Sequence, residues 1–438
     1  MSGLLLALLA LLAFLCLASV GYLLTLLAAA LTRRPAAAAP SASSTNPRRI
    51  AVVIPAHNEE AVLAQTLQSL KAQDYPSDRF EVVVIADNCT DTTAQIACQE
   101  GATVLERHNI DCRGKGHALA WAFGTLLAPH SPLEIDTDER IEAFAIVDAD
   151  TWVAPDFLSA MARRLPESPE TRSALQGRYG VLNPGSGWRA ALMRAAFELV
   201  NHVKPLGNDR LGLPVGLKGN GMVFTRATLV STPWTGRSIT EDIDYGLDLL
   251  AQHGLRVQYA PEALVLAQMP VTGAQGASQR ARWEGGRYRL VRERVPRLLA
   301  AALRQRDPRL LAAAYELLIP PLAELVGMIL LWGAVLALAS PHLGPEPRRI
   351  ALSLFVAAVV GLCTYVLVGM RAAGAGREAY LALLRAPLYI FWKFALYGRA
   401  LLTGRRSRQS ASNVDAWVRT ERIPLRTDEA DPIQGVHR

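Results

Sequence analysis

Ala143-Phe-Ala-Ile-Val-Asp-Ala-Asp150 runs from five apolar residues straight into two carboxylates. An apolar run without alternation suits a strand buried on both faces, as in a parallel sheet. In an open parallel sheet, ligands sit beyond the carboxyl ends of the strands. At such an end Asp148 and Asp150 would repel each other and lose hydration unless a cation compensates. A hard divalent ion, Mg²⁺ or Mn²⁺, bound by one or two carboxylates and completed by diphosphate oxygens, meets that need. The bare tripeptide also suits a solvated turn before a helix near Pro155, so its neighbours along the chain decide its meaning.

Upstream, apolar strands alternate with segments of helical period, which predicts strand-helix-strand units around a mostly parallel sheet. Strands are expected at Ile50–Pro55, Glu81–Ala86 and Thr103–Arg107, and helices at Ala61–Gln73, Thr92–Glu100 and His117–Leu127. The acidic stretch Ser131–Glu142 lacks periodicity and reads as a surface loop. Downstream the pattern is less regular. Strands are expected at Ala174–Arg178, Gly221–Thr225 and Val257–Tyr259, and helices at Trp188–His202 and Ile243–His253.

Further out, the chain becomes too apolar for an ordinary soluble protein. Of its 438 residues 51% are hydrophobic and 19% charged, and the mean hydropathy is +0.17. Residues 2–32 and 350–370 carry no charge at all. Leu4–Leu31 as a helix would be about 42 Å long, enough to cross a bilayer with tilt. Arg33 and Arg34 follow that run rather than precede it, which argues against a signal peptide and puts the next segment in the cytosol. Leu317–Ser340 and Ile350–Met370 are also long enough to span. Pro320 and Pro321 should kink the former, and its Glu324 is costly unless it faces protein or water. In Tyr380–Leu402 the basic Arg385, Lys393 and Arg399 share roughly a 120° arc, the pattern of a helix lying in the interface.

The expected domains are an N-terminal anchor at 1–34, a linker at 35–47 and a cytosolic catalytic domain at 48–310. A membrane region at 311–403 and a cytosolic tail at 404–438 complete the chain. The net charge of +7 owes much to ten arginines between Arg280 and Arg309, just ahead of an apolar stretch. That placement fits a membrane surface, and no nucleic-acid reading module is present. Five scattered cysteines match no zinc pattern and suit a reducing compartment.

Several polar clusters fall at the predicted strand ends: His57-Asn58-Glu59 after the first strand and Asp87-Asn88-Cys89 after the second. Gly114-Lys115-Gly116 opens a helix, where flanking glycines admit a ligand to the backbone and a lysine can meet phosphate. Thr240-Glu241-Asp242 opens another helix and offers a carboxylate for taking a proton. Gln279-Arg280-Ala281-Arg282-Trp283 supplies a guanidinium for diphosphate oxygens and a flat indole for a sugar ring. Each cluster alone is also what a helix cap or a surface helix looks like.

Taken together and in this order, the clusters resemble the processive family-2 glycosyltransferases, which include the synthases of cellulose, hyaluronan and poly-N-acetylglucosamine. The likeness covers about residues 50–290. It implies an α/β fold of the GT-A type, flanked here by transmembrane helices, in a multi-pass protein of the inner or plasma membrane. It also implies that Pro55, Glu59 and Asp87 hold a nucleoside and that Lys115 lies near the diphosphate. Asp148 and Asp150 would bind donor and metal, and Asp242 would be the base. Gln279, Arg282 and Trp283 would line the donor and acceptor sites. Gln176, Tyr179, Asn220 and Glu241 would seat the acceptor. The implied reaction is inverting transfer from a UDP-sugar to a growing β-linked polysaccharide, or a single transfer onto a lipid or lipid-linked acceptor. With three expected spans, export of a polymer would call for a partner or a second copy of the chain.

Overall fold

The computed structural model describes residues 3–32, 47–129, 131–133, 140–236, 240–269 and 273–402, with the side chains of 4, 273–284 and 396–402 left aside. The linker expected at 35–47 falls outside these residues up to 46, as do the tail at 404–438 and the side chain of Arg399.

Helix α1 (Gly3–Leu31) precedes a first half built from β1 (Ile50–Ala56), α2 (Leu63–Lys71), β2 (Phe80–Asp87), α3 (Thr93–Gln99), β3 (Thr103–Arg107), α4 (Lys115–Leu126) and β4 (Ala143–Ile146). Each of these follows the apolar periodicity of the sequence to within a few residues. The second half holds β5 (Thr151–Val153), α5 (Phe157–Ala162), β6 (Ala174–Val181), α6 (Trp188–Phe197), α7 (Lys204–Arg210), β7 (Met222–Thr225), α8 (Arg226–Ser231), α9 (Glu241–His253) and β8 (Gln258–Ala267). A π-helical turn, Glu198–Val203, joins α6 to α7, so the helical run continues past the expected end at His202.

The eight strands form one sheet in the order β3-β2-β1-β4-β7-β6-β8-β5. β1, β2, β3 and β4 pair in parallel, as does β6 with β8. β7 is antiparallel to both its neighbours, and β5 is antiparallel to β8. Alternate residues of β1 divide two cores. Ile50, Val52 and Ile54 pack with Leu63, Leu67, Phe157 and Met161. Ala51 and Val53 face Leu119, Phe123, Tyr245 and Leu249. Helices therefore cover both faces, as a parallel sheet requires.

β8 runs well beyond the expected Val257–Tyr259. Pro261 in its middle argues against a continuous strand, yet the register against β6 shifts between Gly177 and Arg178, and the shift absorbs it.

The C-terminal part holds α10 (Gly273–Gln305), α11 (Pro308–Leu318), α12 (Leu322–Ala339), α13 (Pro345–Ala372), α14 (Arg377–Leu383) and α15 (Ala386–Leu402). Pro320 and Pro321 break rather than kink the apolar run, so the second candidate span starts at Leu322. By length and composition three helical segments can cross a membrane: Leu5–Leu31, Leu322–His342 and Pro345–Ala372.

These helices share a core with the sheet domain. Leu199 and Val203 of the π turn pack with Leu27 of α1 and Tyr365 of α13. At Gly207 of α7, an added Cβ would fall 2.3 Å from the Leu26 carbonyl oxygen, so only glycine allows this approach to α1. Glu324 faces protein: Arg287 of α10 lies 3.6 Å away and Lys393 of α15 3.7 Å away. Lys393 is buried, although the basic arc predicts a headgroup-facing side chain.

Candidate active site

The loops after β1 and β2 are laced to each other. Asn58 Oδ1 accepts from the Thr90 N–H at 2.8 Å, Glu60 Oε2 accepts from the Thr92 N–H at 3.1 Å, and the Glu59 N–H donates to Thr93 Oγ1 at 2.8 Å. His57 Nδ1 lies 2.7 Å from the Asp87 carbonyl oxygen. Asn58 and Asn88 both adopt left-handed backbone, with φ of 55° and 52°. Asparagine tolerates that conformation better than most residues. The clusters thus build a two-loop wall, and the second also caps its own helix, Asp91 Oδ1 accepting from the Thr93 N–H at the start of α3 at 3.0 Å.

Asp87 ends β2 and is 1% exposed. Its Oδ1 accepts from Arg107 at 2.5 Å, a partner set opposite it by the β2–β3 register. Its buried Oδ2 has no hydrogen-bond partner. A buried carboxylate oxygen left so is costly, and a hydrogen-bond donor brought to it would relieve that cost. Pro55 is buried in β1, opposite Ile85.

Lys115 is the first residue of α4, after Gly114 at φ 117°. Its ammonium donates to Asp148 Oδ1 and, at 2.5 Å, to the Gly219 carbonyl oxygen. A Cβ added at Gly219 would lie 3.4 Å from Asp242 Oδ2 and 3.5 Å from Lys115 Nζ. One added at Gly116 would lie 3.1 Å from Glu241 Cγ. Lys115 thus stands between the Asp148 turn after β4 and the Glu241-Asp242 start of α9, which close on one another across the sheet.

The charges reflect this crowding. Burial works against the Lys115 ammonium, but Asp148, Glu241 and Asp242 outweigh it and hold its pKa above the usual range. Burial, reinforced by the Asp242 charge, pushes the Glu241 carboxyl up to about 8. Burial also raises Asp242, while its own helix N–H groups, Lys115 and Lys218 pull the other way.

Two residues expected on the acceptor have other work. Gln176 is fully buried, its Nε2 donating to the Asn220 carbonyl oxygen at 2.8 Å and its Oε1 accepting from the Lys218 N–H at 2.8 Å. Asn220 is fully buried too, its Oδ1 accepting from the Asp148 N–H at 3.2 Å and its Nδ2 donating to Thr151 Oγ1 at 2.8 Å. Both amides brace the carboxylate turn from behind, because a buried amide must use its hydrogen bonds internally. Tyr179 packs its ring on Phe197 at a centroid distance of 5.3 Å. The side chains of Gln279, Arg282 and Trp283 lie outside the described residues. Their helix still reaches the site: a Cβ at Gly286 would fall 2.5 Å from Thr240 Cγ2.

Arg107 and Lys218 were not singled out by sequence. Arg107 could be found by registering two parallel strands, while Lys218 shows itself only as a cation beside Gly219-Asn220-Gly221.

Residues 47–286 match the family described as "Glycosyltransferase like family 2". The chain belongs to that family. It is 23% identical over 246 residues to the "Probable glycosyltransferase YdaM" of Bacillus subtilis, covering 54% of this chain and 55% of the relative. It is 27% identical over 248 residues to a "Beta-monoglucosyldiacylglycerol synthase" of Synechocystis, covering 55% and 48%. The chain spans about half the length of the curated relatives it matches. A solved mannosyltransferase of Pyrobaculum calidifontis, in complex with GDP-Man and Mn²⁺, superposes with a TM-score of 0.50 at 20% identity, over 86% of this chain and 98% of its own. This family-2 chain has the GT-A-like fold.

Proposed function

We propose that this chain moves a sugar, with inversion, from a nucleotide-diphosphate donor to an acceptor hydroxyl at the membrane. The observation that carries the reading is Lys115, bonded to Asp148 and adjoining Asp242. It sets a diphosphate-and-metal pole against a proton-accepting pole across one narrow cleft. On the donor side, Asp87 Oδ2 supplies a buried acceptor for a nucleoside N–H or O–H, with Pro55 and Glu59 beside it. Lys115 holds the diphosphate end.

The carboxylates of Asp148 and Asp150 suit Mg²⁺ or Mn²⁺, since such ions take one or two carboxylates and leave their other positions to phosphate. Among the described residues no group of three metal-ligating side chains occurs, which fits an ion shared with its substrate rather than caged. The bound ion would neutralise charge on the departing nucleotide. Asp242 takes the acceptor proton as the hydroxyl attacks the anomeric carbon from the face opposite the diphosphate. Its raised pKa makes it a stronger base than a surface carboxylate. Gln279, Arg282 and Trp283 would close the site from α10.

The acceptor reading favoured here is a lipid, because the cleft adjoins helices that pack into the candidate spans and a relative is named for making a glucosyl lipid. UDP is the proposed nucleotide. In this reading 48–310 is the cytosolic catalytic domain and 311–403 the membrane region. The motif set also supports a second reading, a β-linked polymer. Detergent-solubilised full-length protein is expected to release UDP from a UDP-sugar in the presence of Mn²⁺ or Mg²⁺, and mass analysis should show one added sugar. Longer products would select the polymer. No nucleotide release from any UDP- or GDP-sugar would overturn the proposal. Asp242→Asn should abolish turnover while UDP still binds.

A further inference from the structure

The proposed reaction leaves one cation unused. Lys218 sits in the loop between α7 and β7, its backbone N–H fixed by Gln176 Oε1. The next residue is Gly219, which lies against Asp242 and Lys115. Lys218 is half-buried and forms no ion pair or side-chain hydrogen bond among the described residues.

Charges reach it from two sides: Asp242 at the reaction centre, and Lys204 and Glu316 where the sheet domain meets the membrane helices. Glu316 is already engaged. Lys204 Nζ lies 2.7 Å from its Oε1, and the Tyr22 hydroxyl of α1 donates to its Oε2 at 2.9 Å. Tyr22 also donates to Asn208 Oδ1 at 3.2 Å, so α1, α7 and α11 meet at this carboxylate. Asp148 is engaged by Lys115.

A recessed lysine without a direct counter-ion is expensive to keep charged, and burial with the Lys204 charge drives its pKa down. An incoming anion would relieve that cost. Lysine serves phosphate as a point charge, and a charge-assisted bond in such a recess is among the stronger polar contacts.

We propose that Lys218 binds the phosphate of an acceptor and thereby sets the acceptor hydroxyl against Asp242. This rests on the transfer reaction proposed above. The hydroxyl oxygen forms a bond to the anomeric carbon while the bond to the donor diphosphate breaks and leaves with its electron pair. The proton goes to Asp242. The acceptor phosphate is unchanged and serves only as a handle. Either a phospholipid headgroup or a soluble phosphate ester carries this chemistry.

The test is amine acetylation of full-length protein in non-ionic detergent micelles, read at Lys218 by peptide mass spectrometry. Probes are glycerol 3-phosphate against glycerol, and phosphatidylglycerol against diacylglycerol. Either phosphate-bearing probe should slow labelling of Lys218 severalfold over its phosphate-free counterpart. Protection by glycerol 3-phosphate assigns a soluble source, and protection by phosphatidylglycerol alone assigns a headgroup. Equal labelling with and without phosphate overturns the proposal. In calorimetry with the protecting probe, Lys218→Met should bind about tenfold more weakly, while Lys218→Arg stays near wild type. Equal binding by Lys218→Met also overturns it. Protection does not require turnover. Protection without nucleotide release would remove the transfer reading and keep the phosphate site, while release without protection would remove the site alone.

Discussion

Gly219 shows how tightly single residues are set around Lys115. Its φ of 78° lies in the left-handed region, and its carbonyl receives the Lys115 ammonium. Gly219→Ala is expected to cost about 1 kcal/mol in backbone strain. Turnover should fall as well, because the strain shifts the carbonyl that holds Lys115, while the methyl itself sits at ordinary van der Waals distance from Asp242 Oδ2 and Lys115 Nζ. Thermal unfolding and kcat, measured on one preparation, separate the two effects. Glu241 gives a second expectation. Folding raises its pKa from 4.5 to about 8. Between those values the unfolded chain has released a proton that the folded chain keeps, so this contribution to stability is full below 4.5 and fades as pH rises towards 8. Tm followed across that window should fall more steeply in wild type than in Glu241→Gln, and parallel curves would count against it. At this scale the carboxylates and Lys115 were legible, because charge at a strand end needs a reason. The brace formed by Gln176 and Asn220 was not, since an amide gives the same letter whether it faces substrate or the back of a loop.

Among the elements, α10 joins the candidate site to the apolar helices. It meets the start of α9 through Gly286 on Thr240 and through Arg294, which pairs with Asp244 at 2.6 Å and Asp248 at 2.7 Å. Directly after Gly286, Arg287 donates to the Leu317 and Ile319 carbonyl oxygens at 3.2 and 2.5 Å, satisfying the end of α11 before the proline break. Gly286→Ala should push α10 away from Thr240 and depress kcat, and adding Thr240→Ser, which removes the opposing methyl, should restore part of the loss. No recovery in the double variant would show that the methyl clash is not the cause. The first half of the sheet could be read because its strands are continuous apolar runs between turn residues. β5 and the far end of β8 could not: three residues carry no period, and Pro261 looks like a strand end until a bulge in the pairing accommodates it.

Over the whole molecule, the sheet domain and the apolar helices form one packed body. Glu324 lies between Arg287 and Lys393 with 15% of its side chain exposed, so this charge is shared among α10, α12 and α15. Glu324→Leu removes the carboxylate that Arg287 and Lys393 both face and should destabilise the protein by about 3–5 kcal/mol, the usual cost of breaking a buried ion pair. Glu324→Leu combined with Lys393→Met should recover part of that loss, as read by unfolding in detergent. The sequence showed that Glu324 must face protein or water but could not name a partner, because Arg287 lies in a different helix and Lys393 sits far along the chain on a basic arc that reads as facing the headgroups.

The approach of Gly207 to the Leu26 carbonyl has a practical bearing on how the enzyme can be handled. An anchor joined by a slack tether can be cut away and the remainder purified as a soluble fragment. Here the first helix is a structural wall, and removing it would uncover Leu199, Val203 and the flat glycine face together. A version beginning after residue 32 should therefore be recovered in aggregates. The same fit means that exchanging this helix for an arbitrary apolar one should not make a working chimera unless the replacement reproduces the surface that meets Gly207.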